Sequence, residues 1–145
     1  MKVLLQRVSE ARVTVAGDTV GEIAGGLLLL VGLCRDDDEA RVQQMATRVT
    51  GYRVFADGAG RMNLDVRQAG GALLVVSQFT LSADTTRGRR PSFGGAAEPA
   101  RARMLFDLFV ETLRAQQMPV ETGVFAADMQ VHLINDGPVT FLLES

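Results

Sequence analysis

The run LLLLVGL at residues 27–33 decides the fold, because it is apolar almost throughout and has the length of a strand. Such a run between turn residues predicts a β-strand that is buried on both faces. The glycine pair Gly25-Gly26 precedes it, and a second pair, Gly70-Gly71, precedes the similar run at residues 72–76. The sequence therefore predicts two buried strands within a sheet.

Shorter segments on both sides of these runs have the character of further strands. Near the start of the chain, Ala11, Val13 and Val15 alternate with polar residues, and the turn Gly17-Asp18 leads into a return strand at residues 19–23. The other predicted strands lie at residues 3–8, 53–55, 62–66, 119–122, 129–135 and 139–143.

Two segments have the spacing of amphipathic helices instead. The first ends at Gly51 and the second begins at Pro99, which suits the first turn of a helix. Their apolar faces consist of Val42, Met45, Ala46 and Val49 in the first helix, and of Ala102, Leu105, Phe106, Phe109 and Leu113 in the second. This order of elements predicts a single α+β domain over residues 1–145, with a largely antiparallel, barrel-like sheet and two helices packed outside.

The composition excludes several kinds of site. The chain has 145 residues, a net charge of −2, one cysteine and one histidine, so it has no intramolecular disulfide, Cys-based zinc site or multi-histidine centre. We expect no metal and no cofactor. No apolar run approaches the roughly 20 residues of a membrane span, and the first residues do not resemble a signal peptide. A cytoplasmic protein without a membrane partner is therefore expected.

Three features with possible chemistry have simpler interpretations. The acidic run at residues 36–39 suits a cation, but it also suits the cap and first turn of a helix. His132 has the chemistry of a general base and Cys34 that of a nucleophile, yet each is isolated in the sequence. We favour a helix cap for the acidic run and structural roles for His132 and Cys34.

The segment Ser77-Gln78-Phe79-Thr80-Leu81 places three hydrogen-bonding side chains at the end of a buried strand. Alternation predicts that Ser77 and Phe79 point one way, and that Gln78 and Thr80 point the other. Thr80 needs an adjacent base to act as a nucleophile, and the sequence shows none. An ordinary amphipathic strand end remains the alternative.

The segment Asn135-Asp136-Gly137-Pro138-Val139-Thr140 lies between two predicted strands. A glycine before a proline exposes two backbone carbonyls with no side chain in front of Gly137, and an X–Pro bond permits a cis peptide. A plain turn between two strands is the alternative interpretation.

A basic cluster lies between the second buried strand and the second helix. Arginine binds phosphate bidentately, whereas a solvated loop is the simpler interpretation. The mild overall acidity argues against broad nucleic-acid binding and leaves room for a local phosphate site. The cluster consists of Arg87, Arg89, Arg90, Arg101 and Arg103.

Together, the segments at residues 77–81 and 135–140 resemble the two signature motifs of the D-aminoacyl-tRNA deacylases, first described as D-tyrosyl-tRNA deacylases. The resemblance extends over the whole chain and includes Gly88-Arg89-Arg90-Pro91-Ser92-Phe93 and the residues from Thr122 to Met129. It implies hydrolysis of the ester between a D-amino acid and the terminal adenosine of tRNA, and removal of glycine from mischarged tRNA(Ala). It also implies a homodimer with active sites at the interface, and we expect no DNA partner.

The resemblance assigns roles to individual residues. The Gly137-Pro138 peptide bond is expected to be cis and to enter the partner's site, where its carbonyls exclude an L side chain. Arg7 is expected to hold that segment, and Phe125 and Met129 to lie near the terminal adenine.

Without a base for Thr80, we expect the ribose 2′-OH to assist the reaction. The backbone N–H groups of Phe79 and Thr80 would stabilise the oxyanion, while Ser77 and Gln78 position the substrate. A non-catalytic dimeric module that binds RNA ends or nucleotides is the main alternative, and a structural dimerisation domain is another.

Overall fold

The computed structural model describes residues 1–86 and 88–145, and it places the apolar run of residues 27–33 at the centre of a curved sheet. Strand β3 (Gly26–Gly32) pairs antiparallel with the long β1 (Lys2–Val15) and parallel with β6 (Ala72–Ser77). Side chains of β3 enter two apolar clusters on opposite faces, so the prediction of a strand buried on both faces is confirmed.

The remaining strands extend this sheet into a nearly closed barrel. Strand β2 (Asp18–Ile23) and β8 (Gln130–Glu144) pair antiparallel with β1, and β7 (Val120–Thr122) pairs parallel with β6. The ends of the sheet meet closely, because a Cβ on Gly21 of β2 would collide with the carbonyl oxygen of Thr122 in β7. The predicted barrel-like α+β fold is confirmed, and its two parallel pairings make the sheet mixed.

Two helices cover one face of the sheet, as predicted. Helix α1 (Glu39–Thr50) begins after Asp38, whose side chain accepts a hydrogen bond from the Arg41 N–H, so the capping interpretation of the acidic run is confirmed. Helix α2 (Pro99–Ala115) follows the capping residue Glu98. Within the described chain, no helix is long and apolar enough to cross a membrane, and no three His, Cys, Asp or Glu residues are grouped as metal ligands.

Two predicted strand breaks are wrong. The segments at residues 3–8 and 11–15 form the single strand β1, and those at residues 129–135 and 139–143 form the single strand β8. The two strands pair on both sides of an irregularity, with Gln6 opposite Thr140 and Val8 opposite Asn135. The residues between Asn135 and Thr140 therefore form a bulge within β8. A turn would end the pairing with β1 at this point, whereas the observed pairing resumes after the segment.

A small hairpin lies outside the main sheet. It consists of β4 (Phe55–Ala56) and β5 (Met62–Leu64). The predicted strands lie at residues 53–55 and 62–66, so β4 begins two residues later than predicted and β5 ends two residues earlier. The backbone carbonyl of Val54, just before β4, accepts a hydrogen bond from the Arg7 guanidinium at 2.6 Å. This contact ties the hairpin to β1.

Candidate active site

A cavity of about 500 Å³ lies between the end of β6 and the loop that precedes β8. Ser77, Gln78 and Phe79 line it from the end of β6 and the turn that follows, and Phe125 and Met129 line it from the loop. Most of the other lining residues are apolar, among them Val31, Leu33, Ala97, Ala102 and Phe106. Five of the residues singled out in the sequence are thus brought together around one space.

Strand β6 ends at Ser77, and a 3₁₀ turn (Phe79–Ser82) follows it. The predicted alternation through Thr80 is therefore wrong, because the chain leaves the strand conformation: Ser77, Gln78 and Phe79 all line the cavity. The Gln78 amide does lie beside Thr80, as predicted, and donates a hydrogen bond to Thr80 Oγ1 at 2.5 Å. In the described chain, no carboxylate or imidazole is hydrogen-bonded to the Thr80 hydroxyl.

The backbone N–H groups of Phe79 and Thr80 begin this turn, and neither donates a hydrogen bond within residues 1–86 and 88–145. The turn itself is anchored to the end of β3. Gln78 N–H donates to the Val31 carbonyl at 2.7 Å, and Ser82 Oγ donates to the Leu33 carbonyl at 3.1 Å. Both free donors therefore lie in the turn that follows β6, where Phe79 lines the cavity and Thr80 does not.

Gly32 is a positioning residue that lies outside the two signature motifs. A Cβ at Gly32 would lie 2.8 Å from the Cβ of Leu81 and 3.1 Å from the Gln78 carbonyl oxygen. The turn therefore packs directly on the backbone of β3. The sequence does contain a signal for this contact, since a glycine inside a buried apolar strand indicates close approach of another backbone.

The part of the cavity lining that comes from the loop before β8 is built around Phe125. Its ring packs against Phe106 at a centroid distance of 5.7 Å, and the Arg103 guanidinium lies 5.4 Å from its centroid. Met129 fits beside it because Gly123 has no side chain: a Cβ there would lie 2.7 Å from the Met129 sulfur. The result is an aromatic and thioether surface of the kind that nucleic-acid bases stack on.

The Gly137-Pro138 peptide bond is cis, as the resemblance implies, and it lies in the bulge of β8. The Asn135 side chain spans the bulge: its Oδ1 accepts from the Val139 N–H at 2.7 Å, and its Nδ2 donates to the Val139 carbonyl at 3.3 Å. Arg7 Nε donates to the Asp136 carbonyl at 2.8 Å. Arg7 therefore contacts the segment it is expected to hold.

None of Arg7, Gly137, Pro138 and Thr80 lines the cavity of their own chain. The structure also shows a different reason for glycine at residue 137 than the one expected. A Cβ on Gly137 would lie 2.6 Å from Val139 Cγ2 and 3.3 Å from an Arg7 nitrogen, and its φ is +153°. The bulge's own backbone and neighbours therefore disfavour a side chain there.

The basic cluster is less free than the sequence suggests. Arg101 forms a bidentate pair with Glu39 of α1 at 2.7 and 3.1 Å, and the hydrogen bond from Arg101 lowers the pKa of Glu39. Arg103 donates to Asp107 at 3.0 Å. Arg89 and Arg90 are exposed, whereas Arg87 lies outside the described residues.

His132 and Cys34 do not line the cavity. His132 is exposed on β8, opposite Arg12 of β1. Cys34 is half-buried, and its sulfur lies 3.5 Å from Ser82 Oγ. These positions agree with the structural interpretation of both residues.

The chain is similar to known proteins over nearly its whole length. Residues 4–144 match the family model described as D-Tyr-tRNA(Tyr) deacylase. A relative from Alcanivorax borkumensis named "D-aminoacyl-tRNA deacylase" is 63% identical, and one of the same name from Escherichia coli is 59% identical, each over 99% of both chains.

Two solved structures share the fold. One titled "c-Myc DNA Unwinding Element Binding Protein" is 36% identical, has a TM-score of 0.95 and covers 100% of this chain and 99% of its own. Another, titled as a probable eukaryotic D-amino acid tRNA deacylase, is 15% identical with a TM-score of 0.83, covers 98% of this chain and 97% of its own, and indicates the fold alone. The family match and the identities over full length show that the chain belongs to the D-Tyr-tRNA(Tyr) deacylase family.

Proposed function

We propose that residues 1–145 act as one cytoplasmic deacylase domain, a carboxylic ester hydrolase that releases a D-amino acid and tRNA from D-aminoacyl-tRNA. One observation carries the proposal: a single cavity is lined both by the turn after β6, whose Phe79 and Thr80 N–H groups are free, and by Phe125 and Met129. A terminal adenosine stacks on the Phe125 surface, and its ester then reaches toward the turn. Glycyl-tRNA(Ala) is a second substrate, because glycine has no side chain to exclude.

The reaction needs no side-chain nucleophile. The 2′-OH beside the ester orients a water molecule, whose oxygen bonds to the ester carbon while the carbonyl electrons move to oxygen. The N–H groups of Phe79 and Thr80 stabilise that oxyanion. The tetrahedral intermediate then collapses, the bond to the ribose 3′-oxygen breaks, and that oxygen takes the proton that the attacking water releases. Ser77 and Gln78 position the acyl group beside these donors.

Chiral selection comes from a second copy of the chain. Because Gly137 and Pro138 lie outside the cavity of their own chain, they are available to complete the cavity of a partner. Strand β8 supports this arrangement, since Ile134 and Leu142 are 54% and 50% exposed on a strand that pairs with β1 alone in the described sheet. Exposed apolar side chains on such a strand favour association.

Hydrolysis of D-Tyr-tRNA compared with L-Tyr-tRNA tests the activity. We expect turnover of the D form and little turnover of the L form. Binding of both without D-selective turnover would favour the non-catalytic module that binds RNA ends or nucleotides.

The role of Thr80 is tested with Thr80→Val and with tRNA that ends in 2′-deoxyadenosine. We expect the variant to retain turnover, because the backbone N–H of residue 80 is unchanged, and the deoxy substrate to lose it. Thr19→Val on exposed β2 is the control for loss of a hydroxyl. Loss of turnover in Thr80→Val with binding intact, or full turnover of the deoxy substrate, would contradict the mechanism.

We expect no DNA partner, although one solved relative is named for binding a DNA element. The net charge is −2, and duplex binding depends on neutralising many phosphates. Fluorescence anisotropy with a labelled duplex at low salt checks this, and saturable binding there would contradict it.

A further inference from the structure

Asp128 has a distinctive position in the candidate active site. Of the described residues that line the cavity, it alone carries an ionisable side chain; the others are apolar or neutral. It precedes Met129 directly and follows Phe125 by three positions, so it belongs to the same loop as the base-stacking surface, and its side chain is exposed. A charge placed there is accessible to the part of the substrate that stacks on that surface.

The loop fixes where Asp128 lies. The Ala127 N–H donates to the Val124 carbonyl at 3.2 Å, and Ala126 has a φ of +62°, so the chain reverses just after Phe125. Strand β8 begins at Gln130 and holds the other side. Asp128 therefore lies on a short segment between a tight turn and a strand.

Within residues 1–86 and 88–145, the Asp128 carboxylate forms neither a hydrogen bond nor an ion pair. Arg103, the cation over the Phe125 ring, donates instead to Asp107 at 3.0 Å. Asp128 is thus a free acceptor beside a fixed aromatic surface.

We propose that Asp128 identifies the terminal base by accepting a hydrogen bond from its exocyclic amino group, an inference that rests on the proposed function. Carboxylates accept hydrogen bonds from amino groups of bases, and proteins read unpaired bases by stacking and by contacts to their edges. Adenine has an amino group at C6. Hypoxanthine has the same size but has a carbonyl oxygen at C6, so a carboxylate that faces C6 finds an acceptor there in place of a donor.

The experiment compares D-tyrosyl 3′-esters of adenosine and inosine as substrates of the full-length protein. We expect wild type to prefer the adenosine ester in kcat/KM by about tenfold, which corresponds to the weaker of good base contacts. Asp128→Asn should bring the ratio close to one, because an amide both donates and accepts. Asp36→Asn removes an exposed carboxylate outside the cavity and should leave the wild-type ratio unchanged.

A binding measurement separates this inference from the proposed function. Amide analogues of both esters, which are not hydrolysed, are titrated calorimetrically into wild type and Asp128→Asn. Equal adenosine-to-inosine ratios of Kd in the two proteins, or no binding of either analogue, would overturn the role of Asp128. Absence of hydrolysis of both esters by wild type would instead overturn the proposed function, whatever the binding ratios.

Discussion

Gly137 illustrates how a single residue links backbone conformation to the proposed chemistry. Its φ is +153°, and a Cβ there would lie so close to Val139 and Arg7 that the bulge has no room for a side chain. We expect Gly137→Ala to displace the bulge, to reduce D-Tyr-tRNA deacylation by at least tenfold and to lower the melting temperature by a few degrees. Deacylation rates and thermal melts measure the two effects.

Gly58 is the matched control for that substitution. A Cβ there meets nothing within 4 Å, so Gly58→Ala should leave both activity and melting temperature unchanged. Full activity in a folded Gly137→Ala protein would show that the bulge is only a structural feature of β8.

The buried ion pair of Asp37 affects the stability of the protein and not the candidate active site. Its carboxylate pairs with the Met1 ammonium at 2.5 Å, both groups are buried, and it also accepts from the Cys34 N–H at 2.6 Å. Removal of one partner of a buried pair leaves the other charge uncompensated, so Asp37→Asn should lower the free energy of unfolding by about 3 kcal/mol. Urea denaturation measures it.

The neighbouring Asp38 provides the comparison for Asp37→Asn. Asparagine caps helices about as well as aspartate, so Asp38→Asn should cost well under about 1 kcal/mol. Equal losses of unfolding free energy in the two variants would show that the buried ion pair stabilises the protein no more than the helix cap does.

At the scale of elements, the two helices are joined by an ion pair that responds to pH. Arg101 of α2 lowers the pKa of Glu39 in α1 below its ordinary value of 4.5, chiefly through a hydrogen bond. Because the folded pKa is the lower one, the contribution to stability is present above the ordinary pKa and is lost as the pH falls through the folded value. Arg101→Gln should therefore return the Glu39 pKa toward 4.5.

Carboxyl NMR titration of Glu39 measures this shift. Arg114→Gln is the control, since Arg114 lies on the same helix but pairs with Glu111. An unchanged Glu39 titration in Arg101→Gln would contradict the assignment of the shift to Arg101.

The elements that the sequence predicts well are those whose evidence is local. The apolar run at residues 27–33 and the helix that starts after Asp38 contain their own signals. The bulge of β8 has the sequence of a turn, so the local sequence predicts the wrong structure there. The bulge forms because β8 pairs with β1, which lies more than a hundred residues away in the chain. Asp37 is equally unpredictable as a buried ion, since its partner is the chain terminus.

The residues of the candidate site also differ in whether local sequence indicates them. A polar cluster at a strand end points to Ser77, Gln78 and Phe79, and the structure places them on the cavity. Asp128 lies in the stretch from Thr122 to Met129 that carries the family resemblance, but its residue type alone indicates no role, because an aspartate before a strand is ordinary. Its position becomes informative only when the fold brings β6, α2 and the loop before β8 around one space.

At the scale of the whole molecule, the distribution of charge predicts where tRNA makes contact. Arg89 and Arg90 are exposed, whereas Arg101 and Arg103 are paired with carboxylates. We expect the Arg89→Gln/Arg90→Gln double variant to weaken tRNA binding and to reduce the slope of log Kd against log salt by about one to two. Arg101→Gln should change that slope little, and an equal change in both would contradict the assignment.

Assembly of two copies can be tested directly, because the Gly137-Pro138 bulge does not line the cavity of its own chain. If a second copy completes the site, a charge on the exposed apolar surface of β8 should abolish both the dimer and the activity. Leu142 is half exposed on that strand, and Leu142→Glu should convert a dimer into a folded monomer without D-Tyr-tRNA turnover. Analytical ultracentrifugation and deacylation assays measure the two outcomes.

Met104 supplies the matched control, since it is similarly exposed but lies on α2, away from β8. Met104→Glu should remain dimeric and active. A Leu142→Glu monomer with undiminished D-selective turnover would show that one chain contains the complete site, and the chirality of the reaction would then have to arise within the cavity itself. Loss of turnover in step with dissociation would instead tie the selectivity to Gly137 and Pro138 of a partner, the residues that the cavity of a single chain lacks.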